Sequence, residues 1–221
     1  MSTTEGRRGR FLSFEGMDGC GKTTQMKLLA DRLRRAGHEV VETVEPGGTA
    51  VGCQIRRILL DASNEELSPT AELLLYFASR AQNVKQVILP ALNRGKIVLS
   101  DRFTDSTLAY QGAGRGLGEE VVRELDRIAC GGLKPDLTVL LDIDLETSLA
   151  RARARNLTEP GAGTRMDNQA VEFYRRVRDA YYRLAAREPE RFVVVDGRGE
   201  PGAVAEAVWE AVTARLPELH V

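Results

Sequence analysis

The stretch "EGMDGCGKTT", Glu15 to Thr24, decides the fold. Within it, Gly16 to Thr23 reads G-x-x-x-x-G-K-T, between the apolar run "RFLSFEG" and a helical pattern from about Lys22 to Ala36 that Gly37 stops. A phosphate loop needs that strand-then-helix context. Glycines let backbone N–H groups converge on phosphate oxygens, and the positive end of the helix reinforces them. The residues predicted to hold the phosphates are Gly16, Met17, Asp18, Gly19, Cys20, Gly21, Lys22, Thr23 and Thr24. Lys22 is placed to reach the β- and γ-phosphates, and the Thr23 hydroxyl to ligate Mg²⁺. Two features stand out. Lys22 is the loop's one basic side chain, although a phosphoryl group in transit develops charge on several oxygens. Asp18 puts a carboxylate beside a polyphosphate, which is unfavourable without compensation. It either braces the loop through backbone N–H groups or faces a second substrate's hydroxyl or the metal's water shell.

Outward from the loop, strand and helix patterns alternate. "EVVETV", "KIVLSD", "LTVLLDID" and "RFVVVD" read as four further strands. Ser68-Pro69 caps a long helix expected to run through Asn93 and stop near Gly95, and "GEEVVRELDRIAC" is a helix closed by Gly131-Gly132. Short, apolar strands separated by helices predict a five-stranded parallel sheet covered on both faces, an α/β fold of the P-loop NTPase kind. Ligands then sit beyond the carboxyl ends of the strands, where "EPGGT" and "SDR" also fall. No repeat or linker interrupts 1–221, which reads as a single domain with a flexible tail over 1–9.

The composition narrows the class. With 221 residues, 43% hydrophobic and 29% charged, the chain can bury a substantial core. A net charge of -1 gives no broad basic footprint for nucleic acid. No run reaches membrane-spanning length, and no signal-peptide pattern opens the chain. Cys20, Cys53 and Cys130 lack metal-ligand spacing and with two histidines argue against zinc, so free thiols in a cytoplasmic setting are expected.

A P-loop alone does not separate kinases from switches and motors. The Asn-Lys-x-Asp that would read guanine is absent from the sequence, and a large mechanical ATPase needs a longer chain. "SDRFTDSTLAYQG", Ser100 to Gly112, puts Asp101 and Arg102 at the end of the third strand, near the loop. The carboxylate can hold a magnesium-bound water, and Arg102 can clamp an acceptor phosphate. In "LLLYFASRAQ", Tyr76 and Arg80 share a helix face and can sandwich and hydrogen-bond a base, while Phe77 reads as core.

Together, "FEGMDGCGKTT", "EPGGT", "YFASRAQ" and "DRFTDSTLAYQG" resemble the thymidylate kinase family over nearly the whole span from Phe11 to about Leu184. The resemblance implies phosphoryl transfer from ATP to dTMP with Mg²⁺, in a homodimer. By position it implies that Asp18 meets the sugar 3′-hydroxyl or the metal's water shell, that Tyr76 stacks on thymine and that Arg80 bonds a base carbonyl. It places Thr107 and Gln111 around the pyrimidine, Tyr110 against a ribose 2′-hydroxyl, and Arg56 near the acceptor's base and phosphate. Two departures are visible: Tyr76 stands where Phe is commoner, and Val44 stands where many relatives have Arg.

The second cation has a candidate source in "LARARARN", Leu149 to Asn156, ahead of the Gly/Pro-containing "NLTEPGAGT". Arg151, Arg153 and Arg155 precede that loop within a lid expected over about 151–166, and Arg165 follows the loop. The family divides by whether its catalytic arginine sits in the P-loop or in the lid. Gly19 occupies the P-loop place, so this chain resembles the lid type. Spacing does not choose among the three arginines. The apolar helices around Leu73–Leu75 and Val121–Leu125 are candidates for the dimer surface.

Overall fold

The computed structural model describes residues 8–158 and 169–220, and within them the side chains of all but residues 153 and 155–158. Five parallel strands form one sheet: β1 Phe11–Glu15, β2 Val40–Val44, β3 Ile97–Asp101, β4 Leu137–Asp142 and β5 Phe192–Asp196, in the order β2-β3-β1-β4-β5. Burial follows that order. β1 and β3 are buried throughout, whereas β2 is mostly half-buried and β5 exposes Val194.

Side chains alternate cleanly across the sheet. Leu12 and Phe14 of β1, Leu99 of β3, Val139 and Leu141 of β4 and Val193 of β5 face α1 (Lys22–Arg35) and α9 (Pro201–Arg215), where Trp209 and Val212 close the core. On the other face, Leu140 and Phe192 pack with α3 (Pro69–Asn83) and α8 (Val171–Arg187), while Phe11 and Val98 pack with Phe103 and Leu92. Glu15 lies two residues from Ser13 and four from Phe11, and therefore on this second face, beneath the acceptor side of the crevice.

The remaining helices are α2 (Ala50–Leu60), α4 (Leu89–Asn93), the single turn α5 (Thr104–Thr107), α6 (Glu119–Cys130) and α7 (Leu145–Thr158). The helix expected to run from Ser68 to Asn93 does follow that path, but not in one register. It passes through a π-helical segment, Val84–Ile88, between α3 and α4. A second π-helical segment, Leu108–Gly114, follows α5. Ser68 caps α3 through Ala71 N–H, and Gly131 ends α6 in the left-handed conformation, as predicted. Of the tail 1–9, residues 1–7 lie outside the described residues, and Gly9 N–H donates to Leu92 O at 2.8 Å. No helix among the described residues is long and apolar enough to cross a membrane.

Candidate active site

The loop between β1 and α1 leaves a helix N-terminus uncapped. Thr49 caps α2 and Ser68 caps α3 with their hydroxyls, but Gly21 gives α1 no side-chain cap and no acidic residue occupies its first turn. Free N–H groups at a positive helix end are what a phosphate requires. Lys22 folds back over the loop, its Nζ donating to Met17 O at 2.7 Å and Gly16 O at 3.1 Å. Thr23 Oγ1 donates to Asp101 Oδ2 at 2.5 Å, so the hydroxyl and the carboxylate predicted to share a metal do converge. Both are oxygen donors, the set a hard divalent cation prefers.

Arg102 has φ 74°, a left-handed backbone that only a surrounding structure can hold in a non-glycine residue. The clamps are visible. Its N–H donates to Phe14 O, its carbonyl accepts from Ser100 Oγ at 2.7 Å, and the next N–H, of Phe103, donates to Glu15 Oε1 at 2.7 Å. The strain turns the guanidinium into the crevice. There Nη2 meets Asp18 Oδ1 at 2.6 Å, Nη1 meets Ser106 Oγ at 2.9 Å and Gly16 O at 3.1 Å, and the group stacks 4.9 Å from the Tyr110 ring. Asp101 and Arg102 are not paired with each other; Arg102 pairs with Asp18.

Asp18 thereby has its compensation. Burial works against its charge, but Arg102 and Lys22, with hydrogen bonds from Tyr110 and Arg102, outweigh burial and hold the carboxyl below its ordinary value. Tyr110 OH donates to Asp18 Oδ2 at 3.1 Å. Glu15, which the sequence did not single out, supports the group from below. Its Oε2 accepts from Ser106 Oγ at 2.5 Å and from Tyr181 OH at 3.0 Å, and Tyr181 in turn accepts from Arg102 at 3.3 Å. Burial, reinforced by the nearby Asp105 carboxyl, pushes Glu15 up to about 7 against these donors.

Around the predicted base pocket, Arg80 is 1% exposed, donates through Nε to Glu45 Oε2 and through Nη2 to Phe103 O at 3.2 Å. Glu45 also accepts from Asn83 Nδ2 at 3.0 Å, so "EPGGT" braces Arg80. Arg80 Nη1 and Thr107 Oγ1 are buried with no hydrogen-bond partner among the described residues. Tyr76 is half-buried beside them on α3, whereas Phe77 is buried as core. Gln111 is buried and donates to Glu72, and Arg56 Nη1 donates to Pro46 O at 2.8 Å. Val44 sits against the neighbouring turn: a Cβ on Gly47 would lie 3.2 Å from Val44 Cγ1 and 3.9 Å from Arg56 Cδ.

α7 meets the P-loop at one place. Ser148 Oγ donates to Asp18 O at 2.6 Å, and a Cβ on Gly19 would lie 2.8 Å from Ser148 O, 3.0 Å from Arg151 Cβ and 3.1 Å from Ala152 N. Gly19 has φ 76°. In this arrangement a side chain at residue 19 would have to push α7 aside and adopt a strained backbone, since its place is taken by the helix that bears the arginines. Arg151 is exposed, with Nη1 3.2 Å from Gly197 O and Nη2 3.5 Å from Arg198 O. The side chains of Arg153 and Arg155, and all of residues 159–168 including Arg165, lie outside the described residues.

Residues 14–208 match the protein-family model described as Thymidylate kinase. The chain is 53% identical over 201 residues to a thymidylate kinase of Pelobacter propionicus, covering 90% of this chain and 92% of that protein. A thymidylate kinase of Thermomicrobium roseum is 54% identical over 203 residues, covering 92% and 94%. The crystal structure of thymidylate kinase from Ehrlichia chaffeensis matches with a TM-score of 0.74 at 33% identity, over 93% of this chain and 99% of that one.

Proposed function

The chain belongs to the thymidylate kinase family and transfers the γ-phosphoryl group of ATP to dTMP, giving dTDP and ADP for dTTP synthesis, and from that premise we propose how its residues divide the work. The observation that carries the division is a pair of buried groups near half-buried Tyr76, Arg80 Nη1 and Thr107 Oγ1, that have no hydrogen-bond partner among the described residues. A buried donor without a partner costs about 1–3 kcal/mol, which a bound ligand recovers. Tyr76 stacks on the thymine ring, Arg80 donates to its O4, and Thr107 and Gln111 complete the edge. Arg56 reaches the acceptor from α2, and Tyr110 crowds the 2′ position of the sugar.

Arg102 clamps the dTMP phosphate, displacing Asp18, which is then free to meet the sugar 3′-hydroxyl. The acceptor phosphate is itself the nucleophile, so the protein supplies positioning and charge rather than a general base. On the donor side, Gly16 to Gly21 cradle the ATP phosphates through their N–H groups, with Thr24 in the first turn of α1. Lys22 exchanges its contacts with Gly16 O and Met17 O for phosphate oxygens. Thr23, and Asp101 through a bound water, would hold Mg²⁺, which would supply positive charge to offset the charge that develops on the phosphates. Among Arg151, Arg153 and Arg155, at least one meets the transferring group from the lid; Arg151 Cβ lies against the loop at Gly19.

We read 1–221 as one catalytic domain working in the cytoplasm. Two copies associate through α3 and α6. α3 packs on α2 and α6, and Leu74, Val121 and Ile128 stand 50%, 45% and 74% exposed. Leu73 and Val122, also in the apolar stretches, are core instead.

The deciding experiment is ADP release from ATP and Mg²⁺ with dTMP, dUMP, dCMP, AMP or GMP as acceptor. Turnover is expected to be greatest with dTMP. Absence of acceptor-stimulated turnover overturns the kinase reading, and preference for another base overturns the thymine assignment. dUMP is the nearest competitor, since a pocket separates one methyl by only about 1–3 kcal/mol.

A further inference from the structure

A primary amide carries a donor on one arm and an acceptor on the other, and the arm turned to a base decides which base fits. Gln111 is 1% exposed, and its orientation is dictated by what lies behind it. Its Nε2 donates to Glu72 Oε1 at 2.7 Å. Glu72 is fully buried and faces Arg115, whose Nε and Nη2 donate to its two oxygens at 3.2 and 3.0 Å. A carboxylate held by a guanidinium has no proton to give, so Gln111 can approach it only through its NH₂ group. The amide carbonyl is then the arm left for the pocket.

Arg115 is itself well anchored. Its third contact is Nη1 to Gln169 Oε1 at 2.7 Å, and its guanidinium lies 5.2 Å over the Phe173 ring. Glu72, Tyr76 and Arg80 occupy successive turns of one face of α3, which places this pair at one end of the base pocket.

We propose that Arg115 is a positioning residue and that the Glu72–Arg115 pair is a specificity device. By locking the Gln111 carbonyl toward the acceptor, it admits pyrimidines that carry an N3–H donor, thymine and uracil, and rejects cytosine, whose N3 is an acceptor. Arg80 enforces the same choice at position 4, where thymine offers an oxygen and cytosine an amino group. The inference rests on the acceptor-pocket reading above.

The test is the ratio of kcat/KM for dTMP to that for dCMP. In the wild type, dUMP is expected to be used at least ~10-fold better than dCMP; near-equal use overturns the proposal with no variant needed. In Glu72→Gln and Arg115→Met, whose folding is checked by melting, Gln111 is free to rotate, and the dTMP:dCMP ratio is expected to fall ~10-fold or more. Arg115→Lys, which keeps a cation on Glu72, is expected to hold the ratio within ~3-fold. Equal losses on both acceptors, with the ratio unchanged, assign the pair a structural role alone and overturn the proposal. Gln111→Leu separates the two readings. If it leaves the ratio and the dTMP KM untouched, Gln111 does not read the base and the pocket reading fails too. If it collapses the ratio while Glu72→Gln and Arg115→Met do not, only the device is wrong.

Discussion

Arg102 and Arg151 lie on opposite sides of the same phosphate loop and are held in opposite ways. Arg102 is clamped by a strained backbone, an ion pair with Asp18 and an aromatic ring. Arg151 is exposed and reaches two backbone carbonyls at 3.2 and 3.5 Å. A cation fixed by the protein is already in place when substrate arrives, and its work is orientation. A cation with weak protein contacts gains its strong partner from the nucleotide, and its work is done when the charge develops. On the proposed division of roles, the acceptor side is built before binding and the donor side is completed by it.

Four experiments test that contrast. The largest effect is expected for Arg102→Ala, which removes both the phosphate clamp and the partner of Asp18. kcat/KM for dTMP should fall ~10³-fold, about 4 kcal/mol of transition-state stabilisation. A loss under tenfold would mean that the preassembled side is not the clamp. Arg155→Ala sharpens the other half: steady-state kinetics should show kcat reduced by ~10² or more while the dTMP KM changes little. A near-normal kcat moves the role to Arg151 or Arg153.

Gly19→Ala probes the seam between the sides. The added methyl meets the backbone of α7 at 2.8–3.1 Å from a residue with φ 76°. Thermal or denaturant melts should register a destabilisation of about 1–3 kcal/mol. A Gly19→Ala protein as stable as the wild type would show that α7 yields easily.

The smallest effect concerns Glu15. Its folded value of about 7 lies above the ordinary carboxylate value of 4.5, so between those pH values the native state binds more protons than the unfolded chain. Stability should therefore decline as pH rises through that window and level off above it, by no more than ~1.4 kcal/mol per pH unit. Denaturant midpoints across pH should show the slope in the wild type and not in Glu15→Gln.

Much of this was legible in the residues. Local signals specify local backbone: the P-loop spacing, the Ser68-Pro69 cap and the apolar strand runs each produced the element they predict. Two π-helical segments were not legible, because an inserted residue in a helix changes neither composition nor periodicity enough to read. Nor was Glu15. Its partners Phe103, Ser106 and Tyr181 lie 88, 91 and 166 residues away, distances at which no spacing rule operates. Glu45 likewise looked like part of a ligand loop and instead braces Arg80. Glu72 could have been found, since it stands four residues before Tyr76 and eight before Arg80 on the same face; a charged residue on an otherwise ligand-facing stripe is the signal.

The contact between Gly19 and α7 also bears on how such an enzyme can change over generations. The loop position and the helix base occupy the same space, so on the proposed reading the two homes for the second cation compete for it. A lineage that placed an arginine at residue 19 by one substitution would first strain the loop against α7. One that surrendered the helix arginines first would lose turnover. The two arrangements are separated by a valley, crossed only when loop and helix change together.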